Sequence, residues 1–125
     1  MSRASIHTKP EPRRVLTGAV MRAGALLDIT QSGLAQILGL SPSTVSRMAN
    51  GSYTLDTQKK EWELGALFVR LFRALDAVIG SNDSTARRWL NGQNQGLSGR
   101  PIDLIRTTEG LVRVVQYLDS ARGRI

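Results

Sequence analysis

The sequence predicts an all-α chain: a helical bundle built round a tight two-helix corner, a long helix apolar on more than one side, and a small helical unit after it. Three observations predict this. Apolar residues recur at three- and four-residue steps through residues 15–29, 57–79 and 108–118. Glycine, proline and hydroxyl residues punctuate those segments where helices start and stop. No useful length alternates with the two-residue period of a strand.

The first helix is expected from Val15 to Ile29, with Leu16, Val20, Ala23 and Leu27 on its apolar stripe and Pro12 just before it. Thr30 then has the chemistry of an N-cap for a helix running to Leu38, because its hydroxyl accepts a backbone N–H. Gly39 ends that helix in the left-handed conformation a tight turn needs. Ser41 caps the next, with Pro42 in its first position, and this helix runs to about Met48 before Asn50-Gly51 closes it. A polar loop follows from Gly51 to Thr57, pinned to the core by Tyr53 and Leu55.

Thr57 is the expected cap of a long helix ending near Ile79. Leu64, Leu67, Phe68, Leu71, Leu75 and Val78 form its main stripe, and Trp62, Val69 and Phe72 lie off it. A helix apolar over two faces must bury both. One face is expected on the chain's own core and the other on a second copy of the chain; two other elements of the same chain are the alternative. Gly80 to Asp83 breaks the chain. Beyond it come a helix from about Ser84 to Leu90, a loop from Asn91 to Gly99, and a short helix that Pro101 opens, Ile102 to about Arg106. A last helix is capped by Thr107 or Thr108, buries Leu111, Val114, Val115 and Leu118, and frays from Ala121 onward.

Composition narrows the function. Seventeen Lys and Arg face ten Asp and Glu among 125 residues, for a formal charge of +7. So basic a surface attracts a polyanion, and nucleic acid is the commonest. There is no cysteine, hence no disulfide or thiolate metal site, which suits a reducing cytoplasmic setting. His7 is the one histidine. No catalytic triad, metal cluster or phosphate loop is present, so no enzyme activity and no cofactor are expected. No apolar run approaches the ~20 residues that cross a membrane. Residues 1–12 lack the apolar centre of a signal peptide and form a basic arm. Arg3 and Lys9 there, with Arg13 and Arg14 just after it, are either a flexible end or contacts to phosphates and the minor groove.

The segment TQSGLAQILGLSPSTVSRMANG, residues 30–51, meets the geometric needs of a helix-turn-helix. Ala35 is small enough for close approach, Leu34, Leu38, Leu40, Val45 and Met48 fill the corner, and Gly39 makes the turn. Outward-facing residues then meet DNA. Gln31, at a helix start, can bond a phosphate. On the second helix Ser43, Thr44 and Ser46 can contact bases or phosphates, and Arg47 can bond guanine O6 and N7 in bidentate fashion.

Thr30-Gln31, Leu34-Ala35, Gly39, Val45-Ser46-Arg47 and Asn50-Gly51 together resemble the lambda-repressor-like, or Xre, class of helix-turn-helix proteins. The resemblance implies a homodimer placing two recognition helices in successive major grooves of double-stranded DNA at an inverted repeat. Downstream, Trp89-Leu90, Asn94, Leu97, Gly99-Arg100-Pro101, Asp103-Leu104, Thr107 and Gly110 are similar to the C-terminal toxin-binding domain of Xre/ParS-type antitoxins. One departure is a serine, Ser98, where that family leads us to expect glycine or alanine.

This second resemblance implies an antitoxin. It would bind and occlude a RES-domain toxin that consumes NAD⁺, and the complex would repress its own operon. The domains expected are a basic arm at 1–12, a DNA-binding and dimerisation domain at 13–80, and a toxin-binding domain at 81–125. Asn94, Gly99, Arg100, Pro101, Arg122, Arg124 and Ile125 are the candidate toxin contacts. Gly99 and Pro101 set the loop's shape, and Arg100 pairs with a carboxylate either across the interface or within the chain, where Asp103 lies one turn away. The rival reading is a stand-alone phage-type or bacterial repressor whose C-terminal third only dimerises.

Overall fold

The computed structural model describes residues 11–122. Seven helices follow one another among them: α1 (Pro12–Leu26), α2 (Gln31–Leu38), α3 (Pro42–Ala49), α4 (Lys60–Ile79), α5 (Asp83–Asn91), α6 (Pro101–Leu104) and α7 (Thr108–Arg122). The extended pairing described is one isolated antiparallel bridge, Asn94 to Gly99. The all-α expectation holds, and most helix boundaries fall where capping chemistry placed them.

Five boundaries differ appreciably, the first three for a local reason. α1 begins at Pro12, not Val15, because the Glu11 carboxylate accepts the Arg13 N–H at 3.1 Å and caps the turn that Pro12 opens. It stops at Leu26 because Asp28 turns left-handed, with φ 57°. Thr57 does not cap α4. The Asp56 carboxylate accepts the Gln58 N–H at 2.9 Å, its carbonyl accepts the Lys59 N–H at 3.1 Å, and the resulting turn delays the helix to Lys60. α6 ends at Leu104 rather than near Arg106, and α7 is helical through Arg122 rather than fraying at Ala121.

α4 is the spine. A 20-residue helix is about 30 Å long, and it packs against α1, α2, α5 and α7. Leu64, Gly65, Phe68, Val69, Leu71, Ala74 and Leu75 are all buried along it, whereas Val78, expected on the main stripe, is exposed near its end. The second apolar face, expected against a second copy of the chain, is covered instead by elements of the same chain: α1 takes one side and α7 another, with Leu111, Val114, Val115 and Leu118 buried on α7. Gly65 sits where α4 meets α1 and the preceding loop, and a Cβ there would lie 2.8 Å from Leu55 Cδ1. The side chain of Arg70 on α4 pairs with Asp119 on α7, and Arg87 of α5 donates to the Leu26 carbonyl at 3.0 Å, tying the C-terminal unit back to the end of α1.

The α5–α6 loop is built from its own backbone. Asn94 and Gly99 exchange N–H···O bonds of 2.9 and 3.2 Å, and the Asn94 side chain accepts the Leu97 N–H at 3.0 Å. Leu97 is thereby driven inward to 1 % exposure and plugs the unit. Ser98 is left at φ 57°, a conformation that favours glycine, which gives a physical reason for glycine, though not for alanine, at that position. Thr107, not Thr108, caps α7: its hydroxyl accepts the Gly110 N–H at 3.0 Å. α6 then abuts α7 so closely that a Cβ on Gly110 would lie 1.8 Å from the Leu104 carbonyl oxygen.

Two stability predictions follow from this packing. Gly110→Ala forces backbone apart and should cost about 3 kcal/mol or more, lowering the thermal midpoint by at least as much as the cavity mutation Leu118→Ala; a wild-type midpoint for Gly110→Ala would refute the close approach. Ser98→Gly relieves a left-handed serine and should raise stability by about 1 kcal/mol in denaturant titrations, whereas Ser98→Val should lower it.

Candidate DNA-reading and partner-binding surfaces

The helix-turn-helix is assembled as its residues dictate. The Thr30 hydroxyl accepts the Gly33 N–H at 3.0 Å and caps α2. Gly39 turns at φ 70°. The Ser41 hydroxyl accepts the Thr44 N–H at 3.1 Å and caps α3, with Pro42 in its first turn. Leu34, Ala35, Leu38, Val45 and Met48 are buried in the corner, and Leu40 is half-buried. Gln31, Ser43, Ser46 and Arg47 are exposed and Thr44 is half-buried. Residues 29–55 contain no Asp or Glu, so neither helix N-terminus has an acidic side chain of its own segment to set against a phosphate.

Three of these residues form one network. The Ser41 oxygen lies 3.1 Å from the Ser43 hydroxyl and 2.9 Å from that of Thr44. Arg47 Nη2 donates to Thr44 Oγ1 at 3.0 Å, and its guanidinium lies over the Tyr53 ring, 5.7 Å from the centroid. Among the described residues Arg47 forms no ion pair; a ring and a hydroxyl hold it instead. Gln31, on the other helix, joins no side-chain bond of this network.

Behind Arg47 lies a cluster that residue types alone did not reveal. The Tyr53 hydroxyl donates to Glu61 at 2.5 Å, and the same carboxylate oxygen accepts the Asp56 N–H at 2.9 Å. Glu61 is 6 % exposed, a rare state for a glutamate, and it sits in the first turn of α4, where the helix end favours a negative charge. The bond to Glu61, with burial and the nearby carboxylates, pushes the Tyr53 phenol up to about 12, against the lowering effect of Arg47. In the sequence Glu61 stands in a Lys-Lys-Glu-Trp-Glu run that reads as a solvated helix start. The usable signal was Tyr53 in an otherwise small and polar loop.

In the C-terminal unit the candidate contacts divide. Asn94 and Gly99 shape the loop described above. Pro101 is buried at the first position of α6. Arg100 forms a two-pronged pair with Asp103, at 2.9 and 3.2 Å, and the guanidinium holds the Asp103 carboxyl below its ordinary range. The exposed tip is therefore Gln95, Gly96 and Ser98, resting on Tyr117, whose ring stacks with Trp89 at 6.5 Å between centroids. Arg122 stands apart from this loop. It lines an open groove of about 750 Å³ between α1 and α4, floored by Val15, Leu16, Ala19 and Val69 and rimmed by Arg70 and Arg73. Arg124, Ile125 and the arm residues Arg3 and Lys9 lie outside the described residues.

No group of three or more His, Cys, Asp or Glu capable of holding a metal occurs among the described residues, and no helix there is long and apolar enough to cross a membrane.

Comparison with known proteins bears on both halves. Residues 7–70 match the antitoxin Xre-like helix-turn-helix domain, and residues 74–124 match the antitoxin Xre/MbcA/ParS C-terminal toxin-binding domain. The two matches meet inside α4. No curated protein matches the sequence. Among solved structures, a chain in the crystal structure of the M. tuberculosis MbcT-MbcA toxin-antitoxin complex is similar, with a TM-score of 0.66 at 25% identity, over 89% of this chain and 96% of that one. The chain belongs to the Xre-like helix-turn-helix antitoxins and carries, at its C-terminal end, the toxin-binding domain of the Xre/MbcA/ParS family.

Proposed function

We propose that this antitoxin acts on two partners: it binds and occludes a RES-type, NAD⁺-degrading toxin, and it represses its own operon by binding double-stranded DNA at an inverted repeat. The observation that carries the proposal is the union, on one chain, of an acid-free helix-turn-helix whose recognition helix faces outward and a family toxin-binding domain packed on the same spine. Residues 13–80 serve DNA binding and dimerisation and residues 81–125 serve toxin binding, with the basic arm at 1–12 beside the DNA. The active species is a cytoplasmic homodimer, because each helix-turn-helix reads one half-site. The chain itself catalyses nothing; it acts by occupying surfaces.

On the DNA side, Gln31 takes a phosphate, while Ser43, Thr44, Ser46 and Arg47 face the major groove, Arg47 toward a guanine. On the toxin side, Asn94, Gly99, Arg100 and Pro101 hold the α5–α6 loop in shape, and Arg122, Arg124 and Ile125 reach the toxin from the chain's end. Because Arg100 is already satisfied by Asp103, its part is to fix the loop.

Two experiments test this. The product of the adjacent reading frame should arrest growth when expressed alone, co-purify with this chain in fixed ratio, and consume NAD⁺ once freed. Deletion of Arg122 to Ile125 should restore NAD⁺ consumption in the complex. A harmless neighbour that never binds leaves the chain a stand-alone repressor. Separately, Arg47→Ala should abolish the gel shift of the chain's own promoter while leaving stability within about 0.5 kcal/mol, as for an exposed side chain; undiminished affinity would remove Arg47 from the readout.

A further inference from the structure

We infer that Tyr53 and Glu61 are positioning residues for DNA readout: the buried Glu61 carboxylate fixes the Tyr53 ring, and that ring, with the Thr44 hydroxyl, holds the Arg47 guanidinium in one pose on the recognition helix. The inference rests on the proposal that α3 reads DNA, and names a specificity device within that site.

The argument runs outward from the core. The loop between α3 and α4 is anchored at both flanks. Leu55 is fully buried, and its N–H donates to Thr17 Oγ1 of α1 at 2.9 Å. Thr17 is itself buried, its hydroxyl donating to the Arg13 carbonyl at 2.6 Å. On the other flank Glu61 receives both the Tyr53 hydroxyl and the Asp56 N–H. A loop held this way presents the Tyr53 ring as a fixed plate rather than a mobile side chain. The phenol keeps its proton well past the ordinary range, as a donor tightly engaged by a carboxylate must.

Arg47 rests on that plate, and its Nη2 is bonded to Thr44, one turn nearer the N-terminal end of α3. That is the end by which a recognition helix enters the major groove. A free arginine in the last turn of α3 samples many rotamers and reaches readily for phosphates, which carry no sequence information. One clamped between a ring and a hydroxyl keeps its remaining N–H groups aimed in one direction. Pre-ordering lowers the cost of immobilisation for the pose that is held and leaves the other poses unaided. The clamp therefore acts on discrimination between sequences more than on attraction to DNA.

The test measures both in the full-length chain. Affinity is compared for the chain's own promoter and for a random duplex of equal length, over a range of salt, for wild type, Tyr53→Phe, Tyr53→Leu and Glu61→Gln. Tyr53→Leu should lower the ratio of promoter to random affinity about tenfold, with random affinity and salt slope unchanged. Tyr53→Phe is nearly isosteric and keeps the ring but loses the bond to Glu61, so it should fall between. In Glu61→Gln the Tyr53 phenol should ionise at lower pH in ultraviolet titration, alongside a reduced ratio. A ratio that survives Tyr53→Leu, or promoter and random affinities that fall together, overturns the positioning role. A wild type that does not distinguish its promoter at all overturns the DNA-reading proposal instead.

Discussion

Everything in this chain is organised by the need to bury two sides of α4. Apolar residues at 62, 64, 67, 68, 69, 71, 72 and 75 span more than one side of this helix and leave a narrow exposed stripe at Glu63, Ala66, Arg70, Arg73 and Ala77. α1 and α2 answer one side and α7 another, so the first and last thirds of the chain become neighbours through a helix that belongs to both. The small C-terminal unit would be too slight to hold a core by itself. Resting on α4, it closes Leu90, Leu97, Ile105, Leu111 and Leu118 into the same continuous apolar cluster as the helix-turn-helix.

Around that spine the two surfaces are made by opposite means. The helix-turn-helix face is left open. Its caps are single hydroxyls, its exposed side chains are neutral or cationic, and acidic residues are absent from 29 to 55. The α5–α6 loop is closed on itself by the Asn94–Gly99 pairing, the Asn94 side chain, the Leu97 plug and the Arg100–Asp103 pair. The two surfaces therefore differ in kind: one is an open helical face, the other a loop whose shape its own bonds fix.

Much of this was legible in the sequence, because short-range chemistry decided it. Thr30, Gly39, Ser41 and Pro42 each govern their own turn, so the helix-turn-helix could be drawn residue by residue. The buried face of α7 followed from its spacing. What was not legible depended either on a competing local turn or on partners farther along the chain. The start of α4 was misjudged because Asp56, not Thr57, organises that turn through its own backbone neighbours. The second face of α4 was assigned to a second copy of the chain where α7 in fact packs, since periodicity shows that a face is apolar but not what covers it. Glu61 was invisible for the same reason: its burial depends on Tyr53, eight residues away, and on the anchoring of their loop to Thr17 of α1.

The meeting of the two family regions inside one unbroken helix has a thermodynamic corollary. Linked domains joined by a flexible tether hold separate folding equilibria, and a ligand for one leaves the other untouched. Here the tether is replaced by shared core, with Arg70–Asp119 and Arg87–Leu26 as additional cross-ties. Loss of α7 strips one wall from the helix that also backs α1 and α2. Free energy gained when any partner grips the C-terminal unit therefore counts toward keeping the helix-turn-helix folded as well, in the manner of linkage between ligand and native state. The reverse holds with equal force, so each end of the molecule insures the other against unfolding.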